Sequence, residues 1–244
     1  MKKILLITSL LSIVCSAGAQ QSGRIVYEET MKITFDLPDE FAGMIPNESK
    51  NKMQLLFTSE ESIYKAIPRE EHVGEEIESN HGGVFIKIEM SSPDNETYRN
   101  LKEGVIIEKQ NLFGRYFRIT GEPEKIKWKM TGDKKQIAGY LCMKATYMRD
   151  TIPVTAWFTP QIPIQNGPGI IGQLPGLILE LDVDNGQMVT RALSVELRPL
   201  SQDEEILKPT KGKEISREKF EIIRKEKTEE MKEMGRGKMI IMRH

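Results

Sequence analysis

Apolar and polar residues alternate along most of this chain, and that alternation predicts β-strands. In "RIVYEETMKITF", Ile25, Tyr27, Met31, Ile33 and Phe35 share one face, and Val26, Glu28, Thr30, Lys32 and Thr34 share the other. This is the pattern of a long antiparallel strand with one wet side. "KMQLLFTSEESIYKAI" predicts a hairpin that turns at Ser59 to Glu61. "VFIKIEM" predicts another strand, "VIIEKQ" and "RYFRIT" a pair joined by "NLFG", and "KIKWKM" a strand followed by a turn at "TGDKKQ". "IAGYLCMKATYMR" and "PVTAWFT" flank a turn at Asp150-Thr151. "LILELDV" places Leu177, Leu179, Leu181 and Val183 on one face, and Asn185-Gly186 suits the positive φ of a tight hairpin. The returning "QMVTRALSVELRPL" is expected to turn Val189, Leu193, Val195 and Leu197 inward. "DLPDEFAGMIPNES" is expected to be irregular, "PREEHVGEEIESNHGG" a loop, and "SSPDNETYRNLKEG" a turn region.

The period changes near the end of the chain. Ser216 is a candidate N-cap, and Phe220, Ile223, the stem of Lys227, Met231 and Met234 follow at helical spacing. Gly235 stands where such a helix would stop. Strands joined by hairpins, with one helix, predict a mainly β fold: a single curved antiparallel sheet or open barrel with a C-terminal amphipathic helix. The expected organisation is a signal peptide over 1–19, an antiparallel β domain over 20–200, and a charged segment over 201–244 with its helix at about 216–234.

The leader changes the picture of compartment. Lys2 and Lys3 precede the apolar run "ILLITSLLSIV", and Ala17-Gly18-Ala19 offers a small-residue cleavage site. This predicts export, to the periplasm or beyond, with cleavage near Ala19. Val14 precedes Cys15, where lipidation asks for a small residue, so ordinary cleavage is preferred to a lipid anchor. No other segment has the length and apolarity of a membrane span. Cleavage removes two of 35 basic residues and none of 36 acidic ones, which leaves 33 against 36 and a formal charge of −3. That balance is not the footprint of a nucleic-acid binder. Cys142 would be the sole remaining cysteine, which excludes an internal disulfide, and its strand-like setting predicts a buried thiol.

Residues 157–181, "WFTPQIPIQNGPGIIGQLPGLILEL", combine prolines, glycines and apolar side chains. Pro160 is expected to end a strand, because proline lacks the N–H that a ladder needs. Leu174-Pro175-Gly176 then turns the chain into the strand that starts at Leu177. Ile162, Ile164, Ile170, Ile171 and Leu174 predict a stiff loop packed on protein. It would either plug one end of the sheet or form the lip of a binding groove. "IAGYLCMKA", "AWFTPQIPI", "NGP" and "QLPGLILEL" come in that order, and together they resemble the GLPGLI family of secreted Bacteroidota proteins. The resemblance is specific over roughly 120–200, with Gln173 where the family motif has its first glycine. It implies a shared exported domain and supplies no catalytic residues.

Candidate chemistry is sparse. The sequence lacks nucleophile-elbow, zinc-helix, phosphate-loop and dinucleotide motifs, so binding is expected rather than catalysis, and no cofactor is called for. A hydrolase site assembled from scattered carboxylates stays open. The expected role is binding a hydrophobic ligand or an envelope-protein partner, with Trp128, Trp157, Phe158 and Leu174 lining the groove. The alternative is a copper- or zinc-binding protein. His72 and His81 lie among glutamates, and Met239, Met242 and His244 supply thioethers and an imidazole. Asp150-Thr151-Ile152 resembles a short O-glycosylation acceptor, and Asn95-Glu96-Thr97 is an N-glycosylation sequon.

Overall fold

The computed structural model describes residues 22–33, 46–68, 79–81, 84–86 and 94–235. Residues 1–21 with Cys15, residues 69–78 with His72, and residues 236–244 with Met239, Met242 and His244 lie outside them.

The strands are β1 (Gly23–Lys32), β2 (Glu48–Phe57), β3 (Glu61–Ala66), β4 (Ser79–His81), β5 (Val84–Ile86), β6 (Glu96–Asn100), β7 (Val105–Leu112), β8 (Arg115–Gly121), β9 (Lys129–Ile137), β10 (Tyr140–Arg149), β11 (Ile152–Thr159), β12 (Leu177–Val183), β13 (Met188–Leu197) and β14 (Lys213–Ile215). The helix α1 spans Arg217–Gly235. Twelve strands make one curved sheet in the order β14-β8-β7-β6-β3-β2-β1-β13-β12-β11-β10-β9, and β4 and β5 pair separately. The sheet does not close on itself. Two meanders meet at its middle, where the first strand, β1, pairs with β2 on one side and β13 on the other. All pairings are antiparallel except β14 with β8. The fold class is therefore the expected one.

Several local expectations fail, each for a physical reason. "TGDKKQ" belongs to β9 and is no turn; the strand takes up Gly132 at an irregularity in its pairing with β10. The turn comes later, at Ala138-Gly139, where φ is 48° and 84° and Ile137 faces Tyr140. Residues 96–100, expected in a turn region, form β6, whose Thr97, Tyr98 and Arg99 are all buried. Residues 79–81, expected in a loop, pair with 84–86.

Two bulges displace the predicted faces. Val26 faces Ser194 and Tyr27 faces Ala192, so Leu193 has no partner across β1. The inward phase of β13 changes there: Thr190 and Ala192 are buried before the bulge and Leu193 is exposed, whereas Val195 beyond it packs on the core as expected and Leu197 at the strand end is exposed. In β12, Leu179 is the unpaired residue opposite the step from Trp157 to Phe158. Ile178 and Leu181 consequently share one core cluster, and Leu177 and Leu179 share another.

The chain after β13, with the charged C-terminal segment, packs on the sheet. Leu200 and Ile206 pack on Leu56, Ile63 and Tyr98. β14 then extends the sheet, and Ser216 caps α1 by accepting the Lys219 N–H on its Oγ. Phe220 packs edge-on against Phe117 of β8, with ring centroids 5.7 Å apart. Arg217 pairs with the buried Glu108 of β7.

Candidate functional site: the 160–176 loop and its cleft

Residues 160–176 connect β11 to β12 and are held down by backbone and side-chain contacts from several elements. Exposure alternates along Gln161 to Asn166, with Ile162, Ile164 and Asn166 turned inward. Leu177 N–H donates to Ile162 O and Ile178 N–H to Asn166 O, so the loop runs back along the start of β12. Asn166, fully buried, donates from Nδ2 to Ser62 Oγ of β3 at 2.7 Å. Trp128 Nε1 donates to Gly172 O at 2.9 Å. Gln173 takes φ 66°, the left-handed conformation that a glycine would adopt without penalty. Its side chain compensates, donating to Glu124 O and accepting the Ile126 N–H.

Arg99 of β6 forms the central clasp. Its Nη2 donates to both Gly169 O and Ile171 O at 2.8 Å. The side chain is 4% exposed, and burial pulls its pKa down to about 10, so it stays charged at neutral pH. The loop's backbone comes very close: a Cβ on Gly172 would sit 2.9 Å from Arg99 Nη1.

Beside the loop lies a cleft of about 580 Å³, walled by the 163–165 stretch, Pro123, Gln173, and the β6–β7 connection with Leu101, Gly104 and Val105; Arg99 lies along it. Its volume falls within the range of small-ligand sites.

Of the four residues expected to line one groove, Trp128, Phe158 and Leu174 meet at one core cluster and Trp157 packs on another, and none is in the cleft wall. Phe158 and Leu174 are 0% and 1% exposed and belong to the core under the loop. Trp128 flanks that same cluster, edge-on to Tyr147, with its indole N–H committed to the loop. Trp157 packs against the other large cluster. Its ring lies under Lys135 Nζ at 4.2 Å, and that ammonium also bonds Glu180, as does Arg191. The segment was expected to be a plug or a lip. Its inward side chains close the core, and its outer edge forms one wall of the cleft. Pattern reading missed Arg99 because β6 is rich in polar residues; the adjacent Thr97-Tyr98 pair, both good strand formers, was the available signal.

Among the metal candidates, only His81 falls within the described residues, as part of the β4 backbone. Among the described residues no three His, Cys, Asp or Glu side chains are placed to hold a metal ion. Cys142 is a buried free thiol, pushed up to about 11 by burial. Thr151 is exposed at the β10–β11 turn, and Asn95 Oδ1 accepts the Asn111 N–H. Among the described residues no helix is long and apolar enough to cross a membrane.

An open, almost wholly antiparallel sheet joined at β1, with a Pro/Gly loop clasped over one core, defines a mainly β class of fold. The chain belongs to the family described as "N-glycanase peptide, N-terminal domain", whose model matches residues 86–217. The matched span holds β6, the clasped loop and the start of α1. Among solved structures, one crystal form of PNGF-II superposes with a TM-score of 0.53 at 18% identity, over 83% of this chain and 33% of PNGF-II. A second form gives 0.54 at 17% identity, over 83% and 32%. This chain thus spans about a third of the length of PNGF-II, and at such identity the likeness concerns fold. No curated protein matches the sequence.

Proposed function

We propose that this chain is an exported, non-enzymatic domain of the cell envelope that binds a hydrophobic ligand or a protein partner in the cleft beside the 160–176 loop. One observation carries the reading: the cleft of about 580 Å³, walled largely by Leu101, Val105, Ile106, Pro123, Pro163 and Ile164, is bounded by a loop fastened at Ser62, Arg99 and Trp128. A wall held that firmly is pre-organised, which lowers the entropic cost of binding. The buried carboxylates Glu108 and Glu180 support binding over catalysis, because each is tied to cations of its own surface and neither is in the cleft wall. The basic start, apolar run and A-x-A site over 1–19 support export. The resemblance of the ordered blocks over roughly 120–200 to the GLPGLI family of secreted proteins supports the same reading. The N-glycanase named by the family description is the wider context, with the present domain as a binding part.

The test is titration of the mature protein with the neutral apolar dye N-phenylnaphthylamine. Saturable fluorescence enhancement is expected in the parent and its loss in Val105→Asp, a cleft residue outside the core clusters, with a cooperative thermal transition retained. Equal enhancement in both proteins would place binding elsewhere.

A further inference from the structure

We infer that the cleft selects ligands carrying a single carboxylate on an apolar body, and that Arg99 receives that carboxylate. The inference rests on the binding reading above and adds the chemistry of the ligand. Arg99 offers five N–H donors, yet both of its hydrogen bonds come from Nη2 and both go to backbone carbonyls. Nε and Nη1 make no hydrogen bond to a described residue. No carboxylate among the described residues pairs with it, although every other buried charged side chain of the sheet has a counter-ion. Lys109 meets Asp94 and Glu96, Glu108 meets Arg217, and Glu180 meets Lys135 and Arg191.

A buried cation without a counter-ion is costly, and an anion entering the cleft beside it would offset that cost. With both Nη2 hydrogens committed to the loop, Nη1 and Nε remain as single donors, and a carboxylate oxygen accepting from one of them would supply the missing counter-charge. The cleft names the rest of the ligand. Its wall joins aliphatic and proline residues to the neutral polar Ser59, Asn100, Gln165 and Gln173, and among the described residues lining it Arg99 is the one that is charged. A dianion such as phosphate would leave charge unmatched against that wall, whereas a monoanion on an apolar body satisfies both parts.

The experiment is calorimetric titration of the mature protein at pH 7.5 with octanoate, octanol and inorganic phosphate at constant ionic strength. Octanoate is expected to bind about tenfold or more tightly than octanol, the ratio of one charge-assisted hydrogen-bonded contact, and phosphate not at all. Because Arg99 also fastens the loop, Arg99→Gln can fail by unfolding. Gln165→Glu puts a carboxylate on the exposed cleft wall instead, and should keep the thermal transition while weakening octanoate about tenfold. Equal affinity for octanoate and octanol would overturn the carboxylate assignment and leave the apolar cleft standing. Binding of neither would overturn both. Octanoate affinity unchanged in Gln165→Glu would move the anion site away from Arg99.

Discussion

A methyl group on Gly176 would lie 2.1 Å from Thr159 O, and the residue holds φ 153°. Neither backbone can yield there without unseating the loop, so Gly176→Ala is expected to cost about 3 kcal/mol. Gly139 is the contrast: its φ is 84° but nothing lies within 4 Å of a built Cβ, so Gly139→Ala should cost only about 1 kcal/mol of backbone strain. Urea unfolding of both variants checks the difference. Cys142 should resist a thiol reagent at pH 8 in the native state and react fully in denaturant, since it is buried and its pKa sits near 11. Glu204 takes a two-pronged hydrogen bond from Arg198, which holds its carboxyl down to about 2. A depressed acid stabilises the fold above its unfolded pKa and loses that contribution as pH falls through the folded value. The stability gap between parent and Glu204→Gln should therefore be full near neutrality, shrink below about pH 4.5, and vanish near pH 2. Thermal melts across that range would show it. At this scale the buried thiol was legible from its strand setting, while the left-handed Gln173 was not, because its compensating bonds reach Glu124 and Ile126.

Elements differ in how much of their position is local. The 160–176 loop advertised itself by composition, and its packing onto protein follows from having five large aliphatics. What it packs under was not legible: Arg99 and Ser62 lie about 70 and 104 positions away in sequence. Trp128→Phe should leave Gly172 O without its donor and cost about 1–2 kcal/mol, measurable by urea unfolding. The helix is a contrasting case. Ser216 and the apolar spacing declared it, yet only Phe220 of the α1 side chains described is buried in the core, against Phe117. Phe220→Ala should loosen α1 and β14 before the rest. Hydrogen exchange is expected to quicken in 213–235 while β1 stays protected.

Across the whole molecule, β1 is the seam. It is the first strand in sequence and a middle strand in space, so each meander is completed by the same ten residues. One cooperative transition is therefore expected. Urea melts read by the fluorescence of Trp128 and Trp157, both on the β9–β13 side, should coincide with loss of exchange protection in β2 and β3. Two separated transitions would show the meanders to be independent. The sequence alone determined that the chain is a two-residue-period polypeptide with a terminal helix, because alternation and capping are properties of neighbours along the backbone. Tertiary structure alone decided which faces are buried beyond a bulge, since that phase is set by the register of the partner strand. It also decided that a polar stretch with Arg99 becomes an interior strand, since its clasp on the distant 160–176 loop exists only once the sheet has formed.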